Sequence, residues 1–188
     1  MLVKPKYQGL TREQLINKAY EMGRDFEINS YSCSQCTVAA IHEIVGLSDD
    51  LVKASTSLCA GVAFQGLGSC GGLSGGVMAL DFFFGRPWEK MSYTELKMEE
   101  NIPPLFTAQA IARELYNKYV ERYGTVMCAA IQQQHFNRYY YIEDMEEFKK
   151  FEDAGAHTDP KKCVDTVGTA ARWVMELLID KGAVQVPG

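Results

Sequence analysis

The segment Cys70-Gly71-Gly72-Leu73-Ser74-Gly75-Gly76 constrains the fold more than any other stretch of the chain. It leads into an apolar run that ends at Phe84-Gly85, and together they predict a glycine-rich helix over 70–85. Each glycine costs a helix about 1 kcal/mol relative to alanine, so close contacts must offset the loss. Gly71, Gly75 and Ala79 recur at helical spacing and make a smooth stripe. Either a cofactor or a second helix can press against backbone there. Gly71, Gly72 and Gly75 are therefore candidate cofactor-binding positions, with tight helix packing as the competing reading. A phosphate loop is disfavoured, because no Gly-Lys-Ser/Thr ending follows and no strand precedes.

The rest of the chain is also helical in pattern. Thr11 and Gln14 form a capping-box signal for a helix over 12–27 that carries Leu15, Ala19, Met22 and Phe26 on one face. A second helix spans 33–45 and stops at Gly46. Ser48 caps a third over 49–59, and a glycine-punctuated loop follows at 61–69. After the glycine-rich helix come a short helix over 91–101, a break at Pro103-Pro104, and a helix over 105–123 closed by Gly124. Thr125 caps a short helix holding Cys128 and Ile131; Tyr139 to Tyr141 suggest a short strand; 143–153 reads as a charged helix. Asp159-Pro160 opens the last helix, which runs to Lys181 and is closed by Gly182. The expected fold is all-α: a single-domain multi-helix bundle over 1–188.

Composition narrows the function classes. Net charge is −5 with no Lys/Arg block, which argues against nucleic acid and anionic membranes. The longest apolar stretch, 73–84, is too short to span a bilayer, and the opening residues lack a secretory pattern. A cytoplasmic protein is expected, and its aromatic content leaves room for a homodimer. In a reducing compartment its six cysteines point to metal binding or redox chemistry more than to structural disulfides.

Cys33, Cys70, Cys128 and Cys163 each fall at a predicted helix start. Free N–H groups and a partial positive charge there favour thiolate, which is both nucleophile and metal ligand. Four such ends could meet at one point. Cys33 and Cys36 form a C-x-x-C pair on one helix face, but no histidine follows Cys36, so covalent haem attachment is excluded. Cys59 reads as core. His42 lies on the far side of its helix from Cys33; His135 and His157 lie near Cys128 and Cys163 in sequence and could replace a thiol, but the simpler reading is two surface histidines.

Four landmarks occur in a specific order: Asn29-Ser30-Tyr31-Ser32-Cys33-Ser34-Gln35, Cys70-Gly71-Gly72-Leu73-Ser74-Gly75, Tyr123-Gly124-Thr125-Val126-Met127-Cys128 and Cys163-Val164-Asp165-Thr166-Val167. In this the chain resembles the C_GCAxxG_C_C family of redox-active proteins over about residues 17–178. Gly72 stands where the family has alanine, Cys36 and Cys59 are additional, and the aromatic segment 136–142 has no place in the pattern. The resemblance implies a redox protein with a cysteine site. Relatives include the cysteine-bearing domain of the split-Soret cytochromes, which implies iron–sulfur binding as one outcome, without haem.

Three readings stand in order of preference. The first is an iron–sulfur cluster, or another metal, on Cys33, Cys70, Cys128 and Cys163, serving electron transfer with a redox partner of unidentified nature. Zinc is a variant, though only Cys33 and Cys36 supply the closely spaced pair that zinc sites favour. The second is a metal-free thiol–disulfide oxidoreductase with Cys33 or Cys70 attacking. The third is a structural or small-ligand-binding protein with buried thiols.

Overall fold

In a computed structural model that describes residues 3–186, the chain is all-α. Eight α-helices are present among the described residues: α1 (Arg12–Ser30), α2 (Cys33–Val45), α3 (Asp49–Ala54), α4 (Gly71–Phe84), α5 (Met98–Tyr123), α6 (Cys128–Phe136), α7 (Met145–Asp153) and α8 (Cys163–Asp180). The capping box at Thr11 and Gln14 forms as expected, and Gly46 ends α2 in the left-handed region at φ 76°.

The core is built where α1 and α2 pack on α8 and α4 lies between α2, α5 and α8. Leu15, Ile41, Ile44, Leu80, Leu115 and Leu178 are fully enclosed. Each such side chain contributes about 1.5–3 kcal/mol by leaving water. The glycines set how closely the helices approach. A β-carbon on Gly75 would be driven into the carbonyl oxygen of Ser34 on α2, with Ser34 C and Cα only 2.9 Å away. One on Gly76 would sit 2.7 Å from Leu115 Cδ2 of α5 and 3.0 Å from Val174 Cγ2 of α8. Gly23 and Gly168 do the same for the α1–α8 crossing. Two faces of α4 are thus consumed by helix packing, which offsets its poor propensity.

Four local expectations are corrected. The helix from Asp49 stops at Ala54, and a 3₁₀ turn (Thr56–Leu58) carries the chain to Cys59. The segment 91–97 is not helical. Instead α5 runs through Pro103 and Pro104, because Asn101 anchors the turn ahead of them. Its Oδ1 accepts from Lys97 N at 2.6 Å and its Nδ2 donates to Lys90 O at 2.8 Å. The carbonyls left unpaired by the prolines lie in an exposed first turn, where water can serve them. Tyr139 to Tyr141 do not form a strand. They belong to a second, smaller cluster in which Tyr140, Phe151 and Ala156 pack with Phe136 and Ile142. Finally, Asp159 and Pro160 precede the last helix without starting it: Asp159 accepts from Lys161 N at 2.9 Å, and α8 begins at Cys163.

Between the main core and the aromatic cluster lies a cavity of about 430 Å³. No helix among the described residues is long and apolar enough to cross a membrane.

Candidate functional site: a cavity walled by thiols

Each of the four landmark cysteines stands at a helix start. Cys33, Cys128 and Cys163 are the first residues of α2, α6 and α8, and Cys70 is the N-cap of α4. All four line the same cavity, although they come from distant parts of the chain. Their helices share a further feature: no side chain caps any of their four N-termini. By contrast Thr11, Ser48 and Asp144 cap α1, α3 and α7. Apart from the N–H groups of Gly72 and Leu73, which face Cys70 Sγ, the first-turn N–H groups beside the cysteines therefore remain without side-chain acceptors, as suits a buried anion.

The loop between Cys59 and Cys70 fixes two of the sulfurs. Residues Ala60 to Phe64 all have positive φ, from 50° to 75°, a left-handed turn that includes the β-branched Val62. Non-glycine residues in this region cost about 1–2 kcal/mol each, and such strain persists only where surrounding structure holds it. Here Gly66 N donates to Ala60 O at 2.8 Å and Gly68 N to Gly61 O at 3.0 Å. The loop then pairs with the approach to α6: Cys70 N donates to Val126 O at 2.8 Å and Cys128 N to Gly68 O at 3.0 Å. The starts of α4 and α6 are tied side by side, so Cys70 and Cys128 enter the cavity from adjacent positions.

Cys59 is not part of the main core as expected. It is buried, but it sits on the cavity wall as a fifth thiol, because α3 ends early and the 3₁₀ turn swings it inward. Cys36 does not line the cavity; its thiol donates to Tyr31 O at 2.5 Å. Gly71, Gly72 and Gly75 do not line it either. Gly71 lets Cys33 lie against α4, since a β-carbon there would meet the Cys33 sulfur. Gly72, standing at the family's alanine, leaves room for the hydroxyl of Tyr119, which points at Cys70 Sγ from 4.0 Å.

The electrostatics of the thiols reverse one expectation. The helix starts were expected to favour thiolate, but burial dominates. It raises Cys33 and Cys163 well above the ordinary thiol range, and nearby Glu27 and the other thiols add to the shift. Cys128 is pushed up to about 12 by burial and by Cys70. Cys70 is raised by burial too, with backbone N–H groups of Gly72 and Leu73 opposing the shift. At neutral pH the site is a set of thiols.

Three residues not assigned to the site from the sequence also belong here. Glu27 is only 2% exposed and lines the cavity, and its Oε2 has no hydrogen-bond partner. His157, expected at the surface, is buried with its Nε2 3.5 Å from Glu27 Oε1 and its Nδ1 2.5 Å from Glu152 Oε1. Tyr31 packs edge-on against it at 4.2 Å. One signal was available: Glu27 continues the buried i, i+4 stripe of Leu15, Ala19 and Gly23. His157 is marked in the sequence only by its nearness to Cys163.

Burial works against a charge on His157, but Glu27 and Glu152 outweigh it and hold the imidazole above its usual range. A base whose pKa is higher folded than unfolded adds stability that is full below the unfolded value, about 6.5, and is lost as pH rises through the folded value. The difference in Tm between wild type and His157→Gln should therefore be larger at pH 6 than at pH 9. Thermal melts at the two pH values check this, and a gap that widens with pH would reverse the assignment.

A family model described as "Putative redox-active protein (C_GCAxxG_C_C)" matches residues 31–177. The chain belongs to that family. No curated protein and no solved structure matches it. In this member of the C_GCAxxG_C_C family, no three His, Cys, Asp or Glu side chains among the described residues come close enough together to hold one metal ion. The thiols are spread round a wall. A single tetrahedral zinc would need its four sulfurs gathered at about 2.3 Å from one centre. A polynuclear cluster asks for less, because each thiolate takes its own iron.

Proposed function

We propose that this protein is a redox carrier holding an iron–sulfur cluster on Cys33, Cys70, Cys128 and Cys163, and that it exchanges electrons with a partner protein. One observation carries the reading: four cysteines from four remote segments line one cavity, each at a helix start that no side chain caps. A cluster bound by four thiolates carries net negative charge, which the positive ends of α2, α4, α6 and α8 would offset. The N–H groups of Gly72 and Leu73, already directed at Cys70 Sγ, would tune its potential.

Burial separates this reading from metal-free thiol–disulfide exchange. Exchange requires a thiolate to attack, and rates fall with the thiolate fraction. Thiols held above their ordinary range attack slowly, whereas a coordinating metal deprotonates them outright. The same reading places the protein in a reducing, cytoplasmic setting, where unpaired thiols persist.

The test is protein purified without air, with its visible and EPR spectra recorded and iron, sulfide, zinc and free thiols counted on one sample. A brown protein with iron and sulfide in matching amounts, bleached by dithionite, supports the cluster. A colourless protein without iron, whose thiols pair reversibly with oxidised dithiothreitol, overturns it in favour of disulfide chemistry.

A further inference from the structure

The connection between α4 and α5, with the first turns of α5, leaves a run of large apolar side chains in water. Tyr93 is 96% exposed, Trp88 77% and Phe106 68%, and Met91, Leu96 and Met98 are exposed as well. An aromatic side chain covers about 150–250 Å² when buried, so these three alone leave about 500 Å² for a contact. With the other three the surface approaches the ~800 Å² that each partner gives to an interface of standard size. Single exposed apolar residues are ordinary, whereas a patch of this size marks a contact. Trp88, Met91 and Tyr93 stand round one hollow of about 370 Å³, which Glu89, Ser92 and Thr94 complete.

The backbone beneath this surface is held in place. Asn101, itself buried, ties both ends of the segment: its Nδ2 donates to Lys90 O at 2.8 Å and its Oδ1 accepts from Lys97 N at 2.6 Å. Arg86 Nη1 donates to Asn101 O at 3.1 Å, and Met91 N to Trp88 O at 2.8 Å. The apolar side chains are therefore presented on an ordered hook, and less conformational entropy is lost when they are covered. None of them lines the thiol cavity, and α4 carries the chain about 20 Å along its axis from Cys70 before the segment begins.

We propose that this surface joins two copies of the chain in a two-fold dimer, with Tyr93 of each protomer seated in the hollow of its partner. A two-fold contact uses the same patch on both sides, so the patch must carry its own complement. It does so in shape, because the protruding Tyr93 and the hollow belong to one short segment. It does so in charge as well. A rim of one sign would repel its copy, but Glu89, Lys90, Glu95 and Lys97 carry both signs along the segment, so carboxylate can meet ammonium across the axis. The further acids Glu99 and Glu100 fall in the first turn of α5, where the positive helix end offsets them.

Sedimentation velocity on reduced, air-free protein from about 1 to 100 μM reads the association directly. Wild type should pass from monomer to dimer across that range. Tyr93→Glu and Leu96→Glu each place a charge in the contact and should weaken association at least about tenfold. Both side chains face solvent, so both variants should keep the wild-type Tm. Trp88 reports where the contact forms: its emission should move to the blue as wild type is concentrated and stay put in Tyr93→Glu. Trp173, packed against Tyr119 at 5.4 Å, should not respond. A wild type that stays monomeric at 100 μM overturns the proposal, as does a dimer whose affinity is the same in both variants. A monomer whose Trp88 emission moves only with a different protein or with lipid vesicles assigns the surface to that occupant and also overturns it. Iron plays no part in these readings, so a protein without a cluster would refute the redox reading and leave the dimer standing.

Discussion

Cys70→Ser is expected to empty the site of iron without unfolding the protein. Even outer-shell changes at metal sites cost 10–100-fold in affinity, so loss of a ligand should cut bound iron by at least about tenfold. Stability should move little, for a reason specific to this position. Cys70 is the N-cap of α4, with the N–H groups of Gly72 and Leu73 facing its sulfur, where a serine hydroxyl can take the same place. Serine is among the strongest N-cap residues, worth about 1 kcal/mol over a non-capping side chain. A hydroxyl that bonds into the first turn would offset the cost of burying it where Cys70 lies, 7% exposed. For a chain of this size 1 kcal/mol corresponds to about 2–4 °C, so Tm should stay within that margin of wild type.

The comparison variants make the result specific. Cys36→Ser lies off the cavity, and a serine hydroxyl can also donate to Tyr31 O, so iron should be retained. Cys59→Ser should keep iron as well, because Cys59 follows a 3₁₀ turn and has no helix start behind it to stabilise an anion. If Cys59→Ser loses as much iron as Cys70→Ser, the ligand set includes the fifth thiol and the assignment of four is wrong. Atomic absorption on anaerobic samples, paired with thermal melts, separates lost iron from lost fold.

The sequence made the helix starts legible because local chemistry governs them. Capping residues, glycine stops and cysteine positions are read within a few residues, and they placed Cys33, Cys70, Cys128 and Cys163 at the ends of helices that the structure confirms. What local chemistry does not govern was missed. Burial raises every one of these thiols, and burial is a property of the whole fold. Cys59 reads as core because a helix end does not favour thiolate; the early stop at Ala54 turns its side chain towards the cavity. His157 lies in a turn with no helical pattern around it, and only the tertiary fold brings it between Glu27 of α1 and Glu152 of α7. The aromatic segment 136–142 resisted assignment for a similar reason. It is neither strand nor long helix, but one side of a small cluster that closes the cavity.

Gly75→Ala is expected to destabilise the protein by about 3 kcal/mol, near the upper end for overpacking a well-packed interior, and to lower Tm by about 10 °C. In an exposed helix the same change would stabilise by about 1 kcal/mol, since alanine is the better helix former. Here the added carbon meets backbone: the Ser34 carbonyl oxygen first, then Ser34 C and Cα at 2.9 Å. A carbonyl inside α2 cannot swing aside as a side chain does, so α2 and α4 must separate along the crossing that carries Cys33 and Cys70. Gly76→Ala provides the contrast. Its nearest obstacle is Leu115 Cδ2 at 2.7 Å, the far end of a flexible side chain, so relief needs a rotamer change and the loss should be smaller than at Gly75. Denaturant unfolding of both variants gives the ranking. Because the α2–α4 spacing sets where the two sulfurs stand, Gly75→Ala should also weaken iron retention at temperatures where it remains folded, and Gly76→Ala should not. Equal iron loss in the two variants would mean that sulfur placement is not controlled by this crossing.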